Sequence, residues 1–262
     1  MAGVCWPWNR QDTELHRQVN NIQMRKSVTF VMIFVLGFLA SLQFYQPFWV
    51  IKLGQRLLPR IRFYADTNTN RFALTFDDGP QPPFTDQVLA ILSRYEAKAT
   101  FFLIGSRIAQ HPDYVSKIRA GGHQVANHTF YDQRTVFLSP ESLLRSIRQT
   151  EAFIQQPCWP KPFRPGSGWI TAHQLAAVEA EGYQVVLGSG YVSDPMHPPG
   201  WYMQWALTSM LRPGAIVVLH DGIEDPTATI KMLPKLLEAA RRRGLTAVTL
   251  DELFNPREGL NE

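Results

Sequence analysis

Residues 71–80 read Arg-Phe-Ala-Leu-Thr-Phe-Asp-Asp-Gly-Pro: an apolar run of strand length that ends directly on two adjacent carboxylates and a Gly-Pro turn signal. Six more runs of that kind follow, at 100–104, 123–127, 162–164, 184–187, 215–219 and 246–250. Helical patterns lie between them at 85–95, 112–120, 140–155, 171–181, 201–211 and 227–243. Ser139 before Pro140 reads as a helix start, and Gly244 after Arg241, Arg242 and Arg243 as a helix end, with the arginines complementing the helix dipole rather than forming a binding patch. Strand alternating with helix implies a parallel sheet. About seven such units favour a short, irregular α/β barrel over the eightfold one, an open doubly wound sheet being the alternative. Either architecture collects reactive residues at the carboxyl ends of strands.

Outward from this block the composition changes. Residues 1–62 hold eight basic and two acidic residues, whereas the rest holds 18 basic and 20 acidic. The part able to bury a core therefore has no basic excess to neutralise phosphates, which argues against a nucleic-acid partner. Cys5 and Cys158 are too few and too far apart for a disulfide framework or a thiolate metal site. Residues 28–45 carry no charge and, as a helix, would be about 27 Å long, the thickness of a bilayer core. Arg25 and Lys26 flank one end, while Tyr45, Phe48 and Trp49 supply interfacial aromatics at the other. The expected organisation is a polar tail (1–27), a transmembrane signal-anchor helix (28–45), a linker (46–69), a catalytic domain (70–255) and a C-terminal tail (256–262). A cleaved signal peptide is the rival for the apolar segment. Basic flanks of equal weight leave the orientation undecided, and a single-pass protein with its catalytic domain on the extracytoplasmic side is the expectation carried forward.

The unusual polar residues gather on the expected strand ends. Asp77 and Asp78 follow the first run, His128 the third, Arg164 ends the fourth, Asp194 lies beyond the fifth, and His220 with Asp221 follows the sixth. Two adjacent anions require a nearby cation or one raised pKa. With His128 and Asp132 at i, i+4 spacing, a divalent metal explains the Asp-Asp pair better than a solvated turn does. Trp169, Tyr191, Trp201 and Trp205 could offer sugar platforms or be ordinary core aromatics, and His197 sits among prolines on the loop that carries Asp194.

Thr75-Phe-Asp-Asp-Gly-Pro80, His128-Thr-Phe-Tyr-Asp132, Phe163-Arg-Pro-Gly-Ser-Gly168, Asp194 and Leu219-His-Asp-Gly222 resemble, in order and spacing, the motifs of the polysaccharide deacetylase family. This family is also known by its NodB homology domain and as carbohydrate esterase family 4. The resemblance covers about residues 70–252 and implies a distorted (β/α)7 barrel that removes acetyl groups from N-acetylated sugars. By position, Asp77 resembles the general base, Asp78 and His128 metal ligands, Arg164 the residue holding the base, His220 the general acid, and Asp194 the carboxylate orienting that acid. The implied cofactor is a divalent metal, Zn²⁺ first, and the implied partner is an N-acetylated glycan. The backbone N–H groups of Gly166–Gly168 are candidates for holding the oxyanion.

The chain departs from the family pattern at Asp132, where a second histidine is usual. A ligand set of Asp78, His128 and Asp132 would neutralise a divalent ion and, being oxygen-rich, suit Mn²⁺ or Mg²⁺ as well as Zn²⁺. Gly166 and Ser167 stand where many relatives have Pro-Tyr, which removes an aromatic wall from the sugar subsite. Ser167, Tyr191 and Trp169 are the expected substrate contacts. Two other functions fit the same residues: a carbohydrate-binding protein with weak turnover, and a deacylase of O-acetyl or lipid-linked amino sugars.

Overall fold

The computed structural model describes residues 24–37, 46–157 and 160–255, in two compact units that divide at Gln46 and Pro47. In the first unit, residues 24–37 form helix α1. Fourteen helical residues span about 21 Å, short of a bilayer core. The expected transmembrane helix over 28–45 is thus seen only in part, since 38–45 lie outside the described residues. Among the described residues no helix is long and apolar enough to cross a membrane.

The second unit is built on one parallel sheet. After α2 (Phe48–Leu57) come β1 (Ile61–Arg62), β2 (Arg71–Asp77), α3 (Phe84–Arg94), β3 (Thr100–Leu103), α4 (Gly105–Gln110), α5 (Tyr114–Ala120) and β4 (Gln124–Asn127). The chain continues with α6 (Pro140–Ile154), β5 (Lys161–Phe163), α7 (Ala172–Ala180), β6 (Tyr183–Val186), β7 (Gly190–Tyr191), α8 (Gly200–Met210) and β8 (Ile216–His220). It ends in α9 (Thr227–Arg242), β9 (Thr246–Val248) and α10 (Leu250–Phe254). The strand order is β1-β6-β5-β4-β3-β2-β8-β7, with β9 also paired to β2. Among the described residues β1 and β7 are not paired to each other, so the barrel stays open. All seven expected strands are present. The two-residue strands β1 and β7 and the helices α2, α4 and α10 are additions, and the expected linker 46–69 in fact supplies α2 and β1, the latter paired with β6.

Strand parity explains where the site forms. Along β2 every residue but the first is buried, as a parallel strand covered on both faces requires. Phe72, Leu74 and Phe76 join the core shared with Val88 and Leu92 of α3 and Leu233, Leu236 and Leu237 of α9. Ala73 faces the other way, into a small inner cluster with Phe102, Ala126, Val186 and Ile216. By the same alternation Thr75 and Asp77 follow Ala73 on the inner face. Strand β8 runs alongside in register, with Ala73 opposite Ile216, Thr75 opposite Val218 and Asp77 opposite His220. Two inner columns therefore rise together and end on adjacent polar side chains.

Local signals behave as expected. The Ser139 hydroxyl caps α6, accepting from the Ser142 N–H at 3.2 Å. The arginine run ends α9, with Arg243 donating to the carbonyls of Thr208 and Leu211.

Candidate active site

Asp77 ends β2 with its side chain buried, and Arg164, just past β5, donates from Nη1 to Asp77 Oδ1 at 2.6 Å. The same Nη1 donates to Thr75 Oγ1 at 2.8 Å, and Nε to the Val186 carbonyl at 3.0 Å. The guanidinium lies over the Phe102 ring, 4.1 Å from its centroid. This buried fork is fixed in place, and it restrains one oxygen of Asp77 while the carboxylate lines a cavity of about 390 Å³.

Asp78 and His128 line the same cavity. The His128 Nδ1–H donates to the Arg164 carbonyl at 2.8 Å, because a carbonyl can only accept. That bond sets the ring so that Nε2 faces Asp78 Oδ1 at 3.2 Å. Burial raises the Asp78 pKa, but the hydrogen bond and charge of His128, with His220 and Arg107 beyond, outweigh it and hold the carboxyl at about 2. A carboxylate kept ionised beside an imidazole oriented through its other nitrogen suits a divalent cation.

The expected third ligand is not assembled with them. Asp132 lines the same cavity, yet its side chain is 66% exposed and turns to Arg107, with Oδ2 3.8 Å from Nη2. Among the described residues no three His, Cys, Asp or Glu side chains converge closely enough to hold a metal. The physical reason is that Asp132 rides on an irregular loop after β4, where no strand register fixes its height.

The opposite wall is fully tied. Asp194 is buried and accepts from His220 Nδ1 at 2.7 Å, from the His220 backbone N–H at 2.8 Å and from Thr229 Oγ1 at 2.7 Å. Burial opposes a charge on His220, but the Asp194 carboxylate beside it wins and pushes the imidazole pKa up to about 9. The Tyr191 ring meets His220 edge-on at 5.9 Å.

Of the expected substrate contacts, Ser167 and Tyr191 line the cavity. Trp169 does not and is 70% exposed; Trp201 and Trp205 are likewise exposed and away from the cavity lining. Within the expected oxyanion loop, Gly166 N–H donates to Thr135 Oγ1 and Gly168 N–H to the Pro165 carbonyl, which narrows the expectation to the backbone of Ser167, a residue that lines the cavity.

Asp221, next to His220 on the expected strand end and given no role there, lies beneath the site rather than in the cavity lining. It is fully buried, accepts from Thr85 Oγ1 at 2.5 Å and leaves Oδ1 without a partner, and burial pushes its carboxyl up to about 7. It packs against the Asp-Asp-Gly turn so closely that a Cβ on Gly79 would lie 2.8 Å from Asp221 Oδ1. Thr75 could have been found by parity, standing two residues before Asp77 on the inner face; Thr229 and Arg107 carry no such signal.

A family profile described as polysaccharide deacetylase matches residues 64–186. The chain is 35% identical over 200 residues to a peptidoglycan-N-acetylglucosamine deacetylase of Bacillus cereus, covering 74% of this chain and 92% of that protein. The chain belongs to the polysaccharide deacetylase family. A chitooligosaccharide deacetylase of a Bradyrhizobium species is another relative of this polysaccharide deacetylase, 32% identical over 207 residues, covering 73% of this chain and 94% of that protein. Among solved structures, a family 4 acetyl xylan esterase from Clostridium thermocellum in complex with a cobalt ion is similar with a TM-score of 0.65 and 30% identity, over 71% of this chain and 91% of that one. For this family member, the five motif regions thus meet at one end of the open barrel.

Proposed function

We propose that the protein hydrolyses N-acetyl groups on the amino sugars of a glycan, of the peptidoglycan or chitooligosaccharide kind named for its relatives. One observation carries this: a single cavity holds two acid-base groups set by separate partners, Asp77 by Arg164 and His220 by Asp194, beside the Asp78–His128 pair. A divalent cation held by Asp78 and His128, with Asp132 reaching in from the rim, would polarise the amide carbonyl and make water a better nucleophile. Asp77, steadied by Arg164, takes the proton of the attacking water with its other oxygen. As the C–N bond breaks, His220 gives its Nε2 proton to the departing nitrogen, and acetate and a free amine leave. Asp194 keeps that histidine cationic up to a pH near 9. Ser167 and Tyr191 flank the sugar.

The test is release of acetate together with free amine from N-acetylglucosamine oligomers and from peptidoglycan, with Zn²⁺, Mn²⁺, Mg²⁺ or Co²⁺ added in turn. Equal release under at least one ion is expected. No release under any ion, with oligomers still bound, would establish the carbohydrate-binding alternative instead. Similarity to the acetyl xylan esterase supports one second reading, cleavage of O-acetyl sugars, and acetate released without amine from acetylated xylan would establish it. Action on the extracytoplasmic side of a membrane is the corresponding localisation, based on the uncharged run 28–45. Recovery of the whole protein in the cytosolic fraction would refute it.

A further inference from the structure

Arg107 has no role above, yet it contacts three of the loops that form the site. From the first turn of α4, Nη1 donates to the Asp78 carbonyl at 2.8 Å, to Gln81 Oε1 at 3.4 Å and to the Gly222 carbonyl. Nη2 faces Asp132 Oδ2 at 3.8 Å. The main chain of the same segment holds the neighbouring loops: Ile104 N–H donates to the Gly79 carbonyl at 2.9 Å, Gly105 N–H to Thr129 at 3.0 Å and Ser106 N–H to Phe130 at 2.8 Å.

This grip matters because Asp78 has φ +70°, a left-handed conformation that a non-glycine residue adopts uncommonly and that neighbouring contacts help to hold. Two contacts press on its carbonyl. Arg107 hydrogen-bonds it, and Gly222 lies so close that an added Cβ would fall 2.1 Å from Asp78 C and O. The planar fork reaches the Asp78 and Gly222 carbonyls and the Asp132 carboxylate at once, which a lysine ammonium cannot do.

We infer that Arg107 is a positioning residue, setting Asp78 against His128 and holding Asp132 at the rim of the same cavity by joining the β2, β4 and β8 loops. The inference rests on the proposed cation-holding role of Asp78 and His128. The full-length wild type, Arg107→Met and Arg107→Lys are compared by calorimetric titration with Zn²⁺ and Mn²⁺, by kcat and KM on an N-acetylglucosamine oligomer at saturating metal, and by thermal melting. Arg107→Met is expected to weaken Zn²⁺ binding about 10- to 100-fold and to lower kcat about tenfold, with KM within about threefold. Arg107→Lys should recover part of both. Wild-type metal affinity and kcat in folded Arg107→Met would overturn the inference, as would a loss confined to the melting temperature. If Arg107→Met does not fold, Arg107→Lys is judged by the same criterion. Failure of both to fold would assign Arg107 to fold stability alone. A wild type that binds neither ion would remove the underlying proposal, an outcome distinct from unaltered binding in the variants.

Discussion

The two sides of the cavity differ in how they are held. His220 stands at the end of a central strand, and Asp194 under it is buried and accepts three hydrogen bonds. Asp132, on the rim after β4, is 66% exposed and has one arginine within ion-pair distance. Strand register fixes the first side to within the spacing of neighbouring strands; a loop and one charge hold the second. The residues to which we assign proton transfer in the proposed function thus lie on the rigid side, and Asp132, the proposed ligand from the rim, lies on the adaptable one.

The comparison can be broken first on the rigid side. Asp77→Asn should lower kcat about 10²- to 10⁴-fold while Zn²⁺ binding measured by calorimetry stays at the wild-type value, because a base is removed and no ligand is. A parallel fall in metal affinity would show that the two roles are not separate. Next, on the alkaline side of its profile wild-type kcat should fall above a pH near 9, where His220 loses its proton. Asp194→Asn should return that histidine towards the ordinary value near 6.5, leaving about one thirtieth of the activity at pH 8. The stability sign follows from the same shift: the folded-state pKa is raised, so the His220–Asp194 contribution is complete below about pH 6.5 and disappears as pH rises through about 9. Denaturant melts at pH 6, 8 and 10 would reveal it.

On the adaptable side the effects should be smaller. Asp132→Asn should weaken Zn²⁺ binding less than about tenfold, where His128→Ala abolishes it, and Asp132→His should shift selectivity from Mn²⁺ towards Zn²⁺. A loss in Asp132→Asn as large as that in His128→Ala would make the rim as essential as the strand ends. Smallest of all, Trp169→Ala should change KM by no more than about twofold, since that ring is exposed and outside the cavity lining.

The legible part of this fold is the part governed by period two. The run 72–76 ending on Asp77, and 215–219 ending on His220, placed both residues at strand ends, and pairing then set them side by side. Ile61–Arg62 and Gly190–Tyr191 were not legible, because two residues show no alternation and owe their extended form to the strands beside them. Loop positions were legible by type only. Asp132 was identified as a candidate, but its height above His128 depends on a loop path that spacing does not encode. Arg107 gave no sign at all: its shorter hydrogen bonds go to main-chain carbonyls, which every residue possesses.

The in-register pairing of β2 with β8 has a consequence for folding. If β8 docked one position out of step, hydrophobic Leu219 would replace His220 at the rim and the imidazole would turn towards the surrounding helices. Turnover would cease in a chain that still looked folded by circular dichroism. Specific activity therefore works as a vernier on strand alignment, reporting errors of a single residue that bulk spectroscopy would miss.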